Sequence, residues 1–127
     1  ELKEKINTSI ILITHDMGVV AEMADDIAVM YTGKIVESAD KYSLFKAPLH
    51  PYTQGLLASI PKLTEDKDEL YSIKGSVPNL LNMPKGCSFC DRCEYARDIC
   101  RNEKPDMYET EGRQVRCFKY SDRWEER

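Results

Sequence analysis

All five cysteines of this 127-residue chain lie in its last third. They are Cys87, Cys90, Cys93, Cys100 and Cys117. In a reducing compartment, clustered thiols more often bind a metal or act in redox chemistry than form disulfides. An odd count also fits four ligands and one spare thiol better than a set of pairs. The cysteines therefore predict a small metal-bound module near the C-terminal end.

The spacing of the cysteines bears on which metal they bind. Cys93 and Cys100 are seven positions apart, which is roughly 10 Å along a continuous helix and too far for easy binding to one zinc ion. An iron–sulfur cluster is larger, and a helix that begins after Cys93 would also bring the two together. The triplet Cys87-x-x-Cys90-x-x-Cys93 resembles that of bacterial ferredoxins, although their Cys-Pro does not follow. We expect an iron–sulfur cluster first, zinc second and unligated thiols third.

The composition indicates a folded, charged protein. Apolar residues make up 42% of the chain and charged residues 31%. No apolar run reaches the roughly 18 residues of a membrane span, and no secretory leader is recognisable. The formal charge of −4 disfavours nucleic-acid binding, which needs basic surface. We therefore expect a cytosolic chain.

The apolar run Ser9–Thr14 is the second strong signal. A nearly continuous β-branched run is typical of a strand buried on both faces of a parallel sheet, and residues 1–7 before it indicate the end of an amphipathic helix. His15 and Asp16 follow, at the carboxyl end of the strand, where open α/β sheets place ligand sites. Asp16 is also suited to cap a helix over Met17–Met23.

Short strands and helices are predicted for the rest of the chain. The pattern indicates a hairpin over 27–38, a brief helix at 42–45, a helix from Pro51 to the residue before Pro61, a charged linker over 64–69, a short strand at 71–73, an extended run between Pro78 and Pro84, and a frayed end over 124–127.

The two histidines have different interpretations. His15 can reach a phosphate or a reacting water from its place between strand and helix. It can equally be a capping or core histidine satisfied by its neighbours, which is the more frequent case. His50, next to Pro51, is interpreted as structural.

Four stretches in order resemble one family, the ATP-binding subunits of oligopeptide and dipeptide importers among the ATP-binding-cassette transporters. They are SIILITHDMGVVAEMAD at 9–25, IAVMYTGKIVE at 27–37, PLHPYTQGLLASIP at 48–61, and the cysteine module from PKGCSFCDRC at 84–93 to Cys117. The likeness covers about residues 9–118, and the succession is more specific than any single motif.

The resemblance implies roles for particular residues. His15 is similar to the switch histidine that contacts the ATP γ-phosphate, and Asp16 would shape this loop and the dimer interface. The family pattern has cysteines at four positions that ligate a 4Fe–4S cluster in some members. These positions are Cys87, Cys93, Cys100 and Cys117. At Cys90 the family commonly has histidine, so Cys90 is either a spare thiol or an alternative ligand.

The resemblance also implies cofactors and partners. The parent subunit would bind ATP and magnesium, pair with a second ATPase subunit and drive transmembrane permease subunits from the inner face of the plasma membrane. This chain has no Gly-x-x-x-x-Gly-Lys-[Ser/Thr] phosphate loop, Walker B strand or signature motif. We therefore expect a fragment that is inactive alone and that can pair with its own copy.

The expected fold class is α/β, the C-terminal end of a P-loop NTPase core with a cysteine-rich extension. We expect the core part to span 1–41 and the extension 42–127. One rival is a stand-alone iron–sulfur or zinc module that acts as a redox sensor or interaction domain. A zinc-ribbon nucleic-acid binder is disfavoured by the acidic charge and the lack of two clean Cys-x-x-Cys pairs.

Overall fold

Two β-hairpins join edge to edge in one four-stranded antiparallel sheet of order β1-β2-β4-β3. The computed structural model describes residues 8–60 and 72–124. The first part holds α1 (Met17–Met23), β1 (Asp26–Tyr31), β2 (Lys34–Asp40), α2 (Lys41–Lys46) and α3 (Pro51–Ala58). The second holds α4 (Asp98–Asn102), β3 (Tyr108–Thr110), β4 (Arg113–Val115) and 3-10 turns at Cys90–Arg92 and Phe118–Tyr120.

Both hairpins close with two-residue turns in the left-handed region. The φ angles are 49° at Thr32 and 83° at Gly33, and 52° at Glu111 and 76° at Gly112. Two successive positive φ values characterise the type I′ turn, whose twist matches that of the flanking strands. The second residue of each turn is glycine, because the missing Cβ removes the steric penalty of this conformation.

The core lies on one face of the first hairpin. Ile27, Val29 and Tyr31 alternate inward along β1, and Leu44 of α2 packs on them. The β1–β2 register shifts by one residue after Val29, so that Val36 of β2 has no paired residue in β1. Such a bulge lets two successive residues of a strand turn to the core.

The sheet combines strands from both predicted segments. β2 pairs with β4 through Glu37–Val115 and Ser38–Gln114. The division at residues 41 and 42 stays a prediction.

Several predicted elements are confirmed. The hairpin, the brief helix, the Met17–Met23 helix and the helix that begins at Pro51 are all present. Asp16 caps α1, since its Oδ1 accepts hydrogen bonds from the backbone N–H groups of Gly18 at 2.9 Å and Val19 at 3.3 Å. Residues 1–7, the linker over 64–69 and Tyr71 lie outside the described residues.

The parallel strand predicted at Ser9–Thr14 is wrong for this chain. The run has no regular structure, and Ile11 and Ile13 are 91% and 93% exposed. A strand of this kind needs neighbours on both edges, and no described residue pairs with this run. Ser72 and Ile73 also form no strand.

The frayed end predicted over 124–127 is wrong for Trp124, which packs against the rest of the chain. The Arg97 guanidinium carbon lies 3.7 Å from the centroid of its ring, and the ring packs against the buried cluster of Cys90, Cys100 and Phe118. This cation–π contact anchors the end of the described chain, and residues 125–127 lie beyond it. Within residues 8–60 and 72–124, no helix is long and apolar enough to cross a membrane.

Candidate functional site

Backbone hydrogen bonds bring the cysteine-bearing segments together. The Cys87 N–H donates to the Cys100 carbonyl at 2.7 Å, which joins residues 87–93, the first cysteine arm, to α4. Cys90 and Cys93 then form successive turns, with their N–H groups donating to the carbonyls of Cys87 at 3.2 Å and Cys90 at 3.3 Å. Cys117 directly precedes the 3-10 turn at Phe118–Tyr120. All five thiols are free.

Backbone N–H groups two positions later in the chain act on three of the sulfur atoms. The Tyr95 N–H donates to Cys93 Sγ at 3.4 Å. Burial raises the pKa of Cys87 to about 11 and that of Cys117 to about 12, while backbone hydrogen bonds from Phe89 and Lys119 act in the opposite direction. N–H groups near sulfur favour the thiolate, the form that ligates metals, but burial has the larger effect and keeps these thiols protonated.

Cys90 has the opposite hydrogen-bonding role. Its Sγ donates to Asp91 Oδ1 at 3.8 Å, and burial followed by the Asp91 charge raises the pKa of the thiol. A donor to a carboxylate is held as the protonated thiol. The hydrogen bonds thus distinguish Cys90, a donor, from Cys93, an acceptor.

The thiols are neighbours but do not converge on one point. The charges of Cys93, Cys87 and Cys100 each add to the raised pKa of Cys117, so these groups are within electrostatic range. Across the described residues, however, no three His, Cys, Asp or Glu side chains are placed to hold a metal ion. The donor set suits zinc or an iron–sulfur cluster, and binding would require the sulfurs to draw together.

His15 and Asp16 are distant from the cysteines in sequence and belong to a different element, the start of α1. His15 is exposed in the turn before α1. The Asp16 N–H donates to Thr14 Oγ1 at 3.1 Å, and its carboxylate caps α1. Asp16 therefore fixes the shape of the loop that presents the imidazole.

His50 is structural, as predicted. It is buried, its Nδ1 accepts a hydrogen bond from the Tyr52 N–H at 3.0 Å, and it caps α3. Its own N–H donates to Glu37 Oε1 at 2.8 Å. Burial lowers the pKa of His50 to about 4, against a smaller opposing effect of the Arg116 backbone.

Glu37, Arg113 and Tyr120 hold the segment between α2 and α3, and sequence reasoning missed all three. The fully buried Glu37 carboxylate accepts hydrogen bonds from the backbone of Leu49 and His50. Arg113 donates to the carbonyls of Ser43 and Ala47, and the Tyr120 hydroxyl donates to the Leu49 carbonyl at 2.7 Å. Local patterns carry no signal for these contacts, because their partners are distant in sequence.

We expect acid to destabilise the chain through His50. The folded state holds this side chain neutral down to pH about 4, whereas the unfolded chain binds a proton below about 6.5. Stability is therefore complete above pH 6.5 and is lost as the pH falls towards 4. At about 1.4 kcal/mol per pH unit, the loss approaches 3 kcal/mol.

Urea unfolding of the wild type and His50→Asn at pH 7, 5.5 and 4 checks this expectation. Asparagine can cap a helix but cannot take up a proton. The variant should lose less stability on acidification, and equal losses in both proteins would contradict the assignment.

Comparison with known proteins assigns the middle of the chain to one family. Residues 36–100 match the family described as the oligopeptide/dipeptide transporter, C-terminal region. The chain belongs to this family. Its matched region contains most of β2, all of α2 and α3, and the cysteines from Cys87 to Cys100, whereas His15 and Cys117 lie outside it.

Longer relatives within the family extend the likeness over nearly the whole chain. The oligopeptide transport ATP-binding protein AppD of Bacillus subtilis is 52% identical over 123 residues, which cover 96% of this chain and 38% of the relative. The dipeptide transport ATP-binding protein DppD of Escherichia coli is 47% identical over 118 residues, or 92% and 36%. The oligopeptide transport ATP-binding protein OppD of Salmonella typhimurium is 46% identical over 119 residues, or 94% and 36%. The chain thus spans less than two-fifths of the length of these relatives.

Proposed function

We propose that this chain is the C-terminal part of the ATP-hydrolysing subunit that energises oligopeptide or dipeptide import. The supporting observation is its 44–52% identity, across nearly its full length, to ATP-binding proteins of peptide transport. The parent subunit would use ATP and magnesium, pair with a second ATPase subunit, and act on permease subunits at the inner face of the plasma membrane. No finding favours the stand-alone redox or interaction module.

The exposed run before His15 supports continuity with a larger sheet. Four successive apolar residues, Ile10 to Ile13, are at least 49% exposed. Contiguous exposed apolar surface usually marks an interface. We propose that the longer subunit covers this run and pairs it as a strand, which would place His15 at the edge of the nucleotide site. The chain by itself should neither bind ATP tightly nor hydrolyse it.

His15 is proposed as the switch histidine of the parent subunit. Its imidazole is exposed, and Asp16 fixes the turn that carries it. In the longer subunit assembled with its partners, His15→Ala should lower ATP turnover about 100-fold or more, the usual scale for loss of a positioned proton-transfer group. Nucleotide binding should be retained. Turnover within threefold of the wild type would contradict the role.

Cys87, Cys93, Cys100 and Cys117 are proposed as metal ligands, with Cys90 as the spare thiol. Cys93 Sγ accepts a backbone hydrogen bond, backbone N–H groups lower the otherwise raised pKa values of Cys87 and Cys117, and Cys90 donates instead. A 4Fe–4S cluster, or zinc in its place, would cross-link the segments that carry these cysteines and supply a structural or redox centre. The backbone N–H groups near these sulfurs would stabilise the thiolates once a bound metal displaces their protons.

The metal proposal is tested on protein purified without oxygen. We expect broad absorption near 400 nm, with iron and sulfide each near four per chain, as for a 4Fe–4S cluster. Cys90→Ser should keep the colour and Cys117→Ser should lose it. One zinc per chain without colour would replace the cluster by a structural site. Absence of iron, sulfide and zinc would overturn the metal centre.

A further inference from the structure

The first cysteine arm, residues 87–93, docks on the end of β1 through two side chains that flank Cys90. The rings of Phe89 and Tyr31 meet edge to face, with centroids 5.3 Å apart and planes at 89°. Arg92 Nη1 donates to the Tyr31 hydroxyl at 3.3 Å, and Arg92 Nε donates to the Lys74 carbonyl at 2.9 Å. Tyr31 thus contacts the residues at both ends of the turn that carries Cys90, Phe89 and Arg92.

Two aromatic rings at the start of α3 complete the packing around Phe89. The Phe89 centroid lies 5.6 Å from that of Tyr52 and 5.7 Å from that of His50, and Tyr31 and Tyr52 are 4.6 Å apart. Phe89 and Tyr31 are each only 3% exposed. Aromatic pairs in such geometries contribute beyond the area that they bury, so this contact has a fixed position.

The second cysteine arm, residues 116–120, is attached to the other strand of the same hairpin. β4 pairs with β2, and the Arg116 N–H donates to the Val36 carbonyl at 2.7 Å. Arg116 Nε donates to the Ile35 carbonyl at 2.9 Å. Cys117 is the next residue, so its backbone position is set by β2, as that of Cys90 is set by β1.

We propose that the β1–β2 hairpin is the support that holds both cysteine arms in register, and that Tyr31 is its positioning residue. The hairpin and the arms then open as one cooperative unit smaller than the whole chain. A group that binds the thiols of the closed arms also stabilises the hairpin, because it binds only the closed state. This last consequence rests on the proposed metal site, whereas the shared opening does not.

Backbone hydrogen exchange on the complete, metal-free chain tests the shared opening. Tyr31→Leu removes the ring and should speed exchange about tenfold or more at the amides of β1 and β2 and, by the same factor, at Cys90 and Cys93. Tyr31→Phe removes only the acceptor for Arg92 and should cause about a twofold to tenfold change at the same sites. Acceleration confined to the hairpin in both variants would overturn the proposal.

Arg123→Leu is the matched control. The Arg123 guanidinium carbon also lies over an aromatic ring, 5.8 Å from the centroid of Phe118, and its ion pair is with the exposed Glu103 rather than with the hairpin. We expect changes of less than about twofold at β1 and at Cys90. If this variant accelerated every amide as much as Tyr31→Leu does, exchange would occur through unfolding of the whole chain, and the smaller unit would be refuted.

Hydrogen exchange on metal-loaded protein tests the coupling of hairpin and arms separately from the proposed metal site. With iron and sulfide or zinc bound, exchange should slow at least about tenfold in β1 and β2 as well as in the arms. Slowing in the arms alone would overturn the coupling and leave the metal site intact. A chain that takes up no metal would refute the metal site, and the metal-free comparison would still decide whether the hairpin supports the arms.

Discussion

Replacing Gly86 by alanine should separate the first cysteine arm from α4. A Cβ at this position would lie 2.6 Å from the Arg101 carbonyl carbon and closer still to the Cys100 carbonyl oxygen. Both are backbone atoms, so no side-chain rotation relieves the clash. We expect a loss of about 3 kcal/mol or more, at the upper end for overpacked sites. The 2.7 Å hydrogen bond from Cys87 to Cys100 should break as well.

Urea unfolding and thiol labelling measure these two effects. In metal-free protein, the buried Cys100 should react with a thiol reagent about tenfold faster or more, because local opening exposes it. Gly112→Ala is the control. It strains a residue with a φ of 76° but meets nothing within 4 Å, so it should cost about 1–2 kcal/mol and leave Cys100 protected. Equal labelling rates in the two variants would refute the close-approach argument.

Replacing Glu37 by alanine should be the most damaging change on the first hairpin. The carboxylate is fully buried and accepts three hydrogen bonds, two from the Leu49 N–H and one from the His50 N–H. Alanine would leave both donors unpaired away from water, and we expect a loss of about 3–5 kcal/mol. That is a large fraction of the total stability of a domain this size.

Two variants bracket the Glu37 result in urea unfolding. Glu109→Ala removes an exposed carboxylate from β3 of the same sheet and should change stability by about 0.5 kcal/mol or less. Glu37→Gln keeps one acceptor oxygen but turns an NH₂ group towards backbone donors, so it should fall between the two alanine variants. A Glu37→Ala protein within about 1 kcal/mol of Glu109→Ala would contradict this role.

Elements with local signals were predictable from the sequence. Asp16 marks the start of α1 by its capping carboxylate, and Pro51 marks that of α3 by its fixed φ. The Thr32–Gly33 turn between two apolar runs likewise indicated the first hairpin. In each case the residues that decide the structure are neighbours in the chain.

The burial of Glu37 and the absence of a strand at Ser9–Thr14 were not predictable from local signals. Strict alternation along β2 would expose one of Val36 and Glu37, but the bulge turns both to the core. The run Ser9–Thr14 has the composition of a buried strand, yet a strand is defined by its partners, and none of the described residues supplies one. Both failures concern contacts that are distant in sequence.

The candidate site was predictable in content but not in arrangement. Cysteine number and spacing indicated a thiol cluster with one spare member. The structure adds a difference in hydrogen bonding, because Cys90 donates to Asp91 while Cys93 accepts from Tyr95, and the choice of Cys90 as the spare thiol stays a prediction. The support of the arms by Tyr31 depends on residues 61 positions apart, Tyr31 and Arg92, and no local pattern reports such a contact.

The order β1-β2-β4-β3 also has a consequence for folding kinetics. Each hairpin closes through a two-residue turn, and isolated hairpins form in about 1–10 μs. More than half of the chain lies between β2 and β4, the central pair. The loss of entropy on closing this long loop therefore opposes their pairing. Pairing of this kind slows folding. We therefore expect the junction of the two hairpins to form last, and Cys117 to reach the other thiols only at that final step.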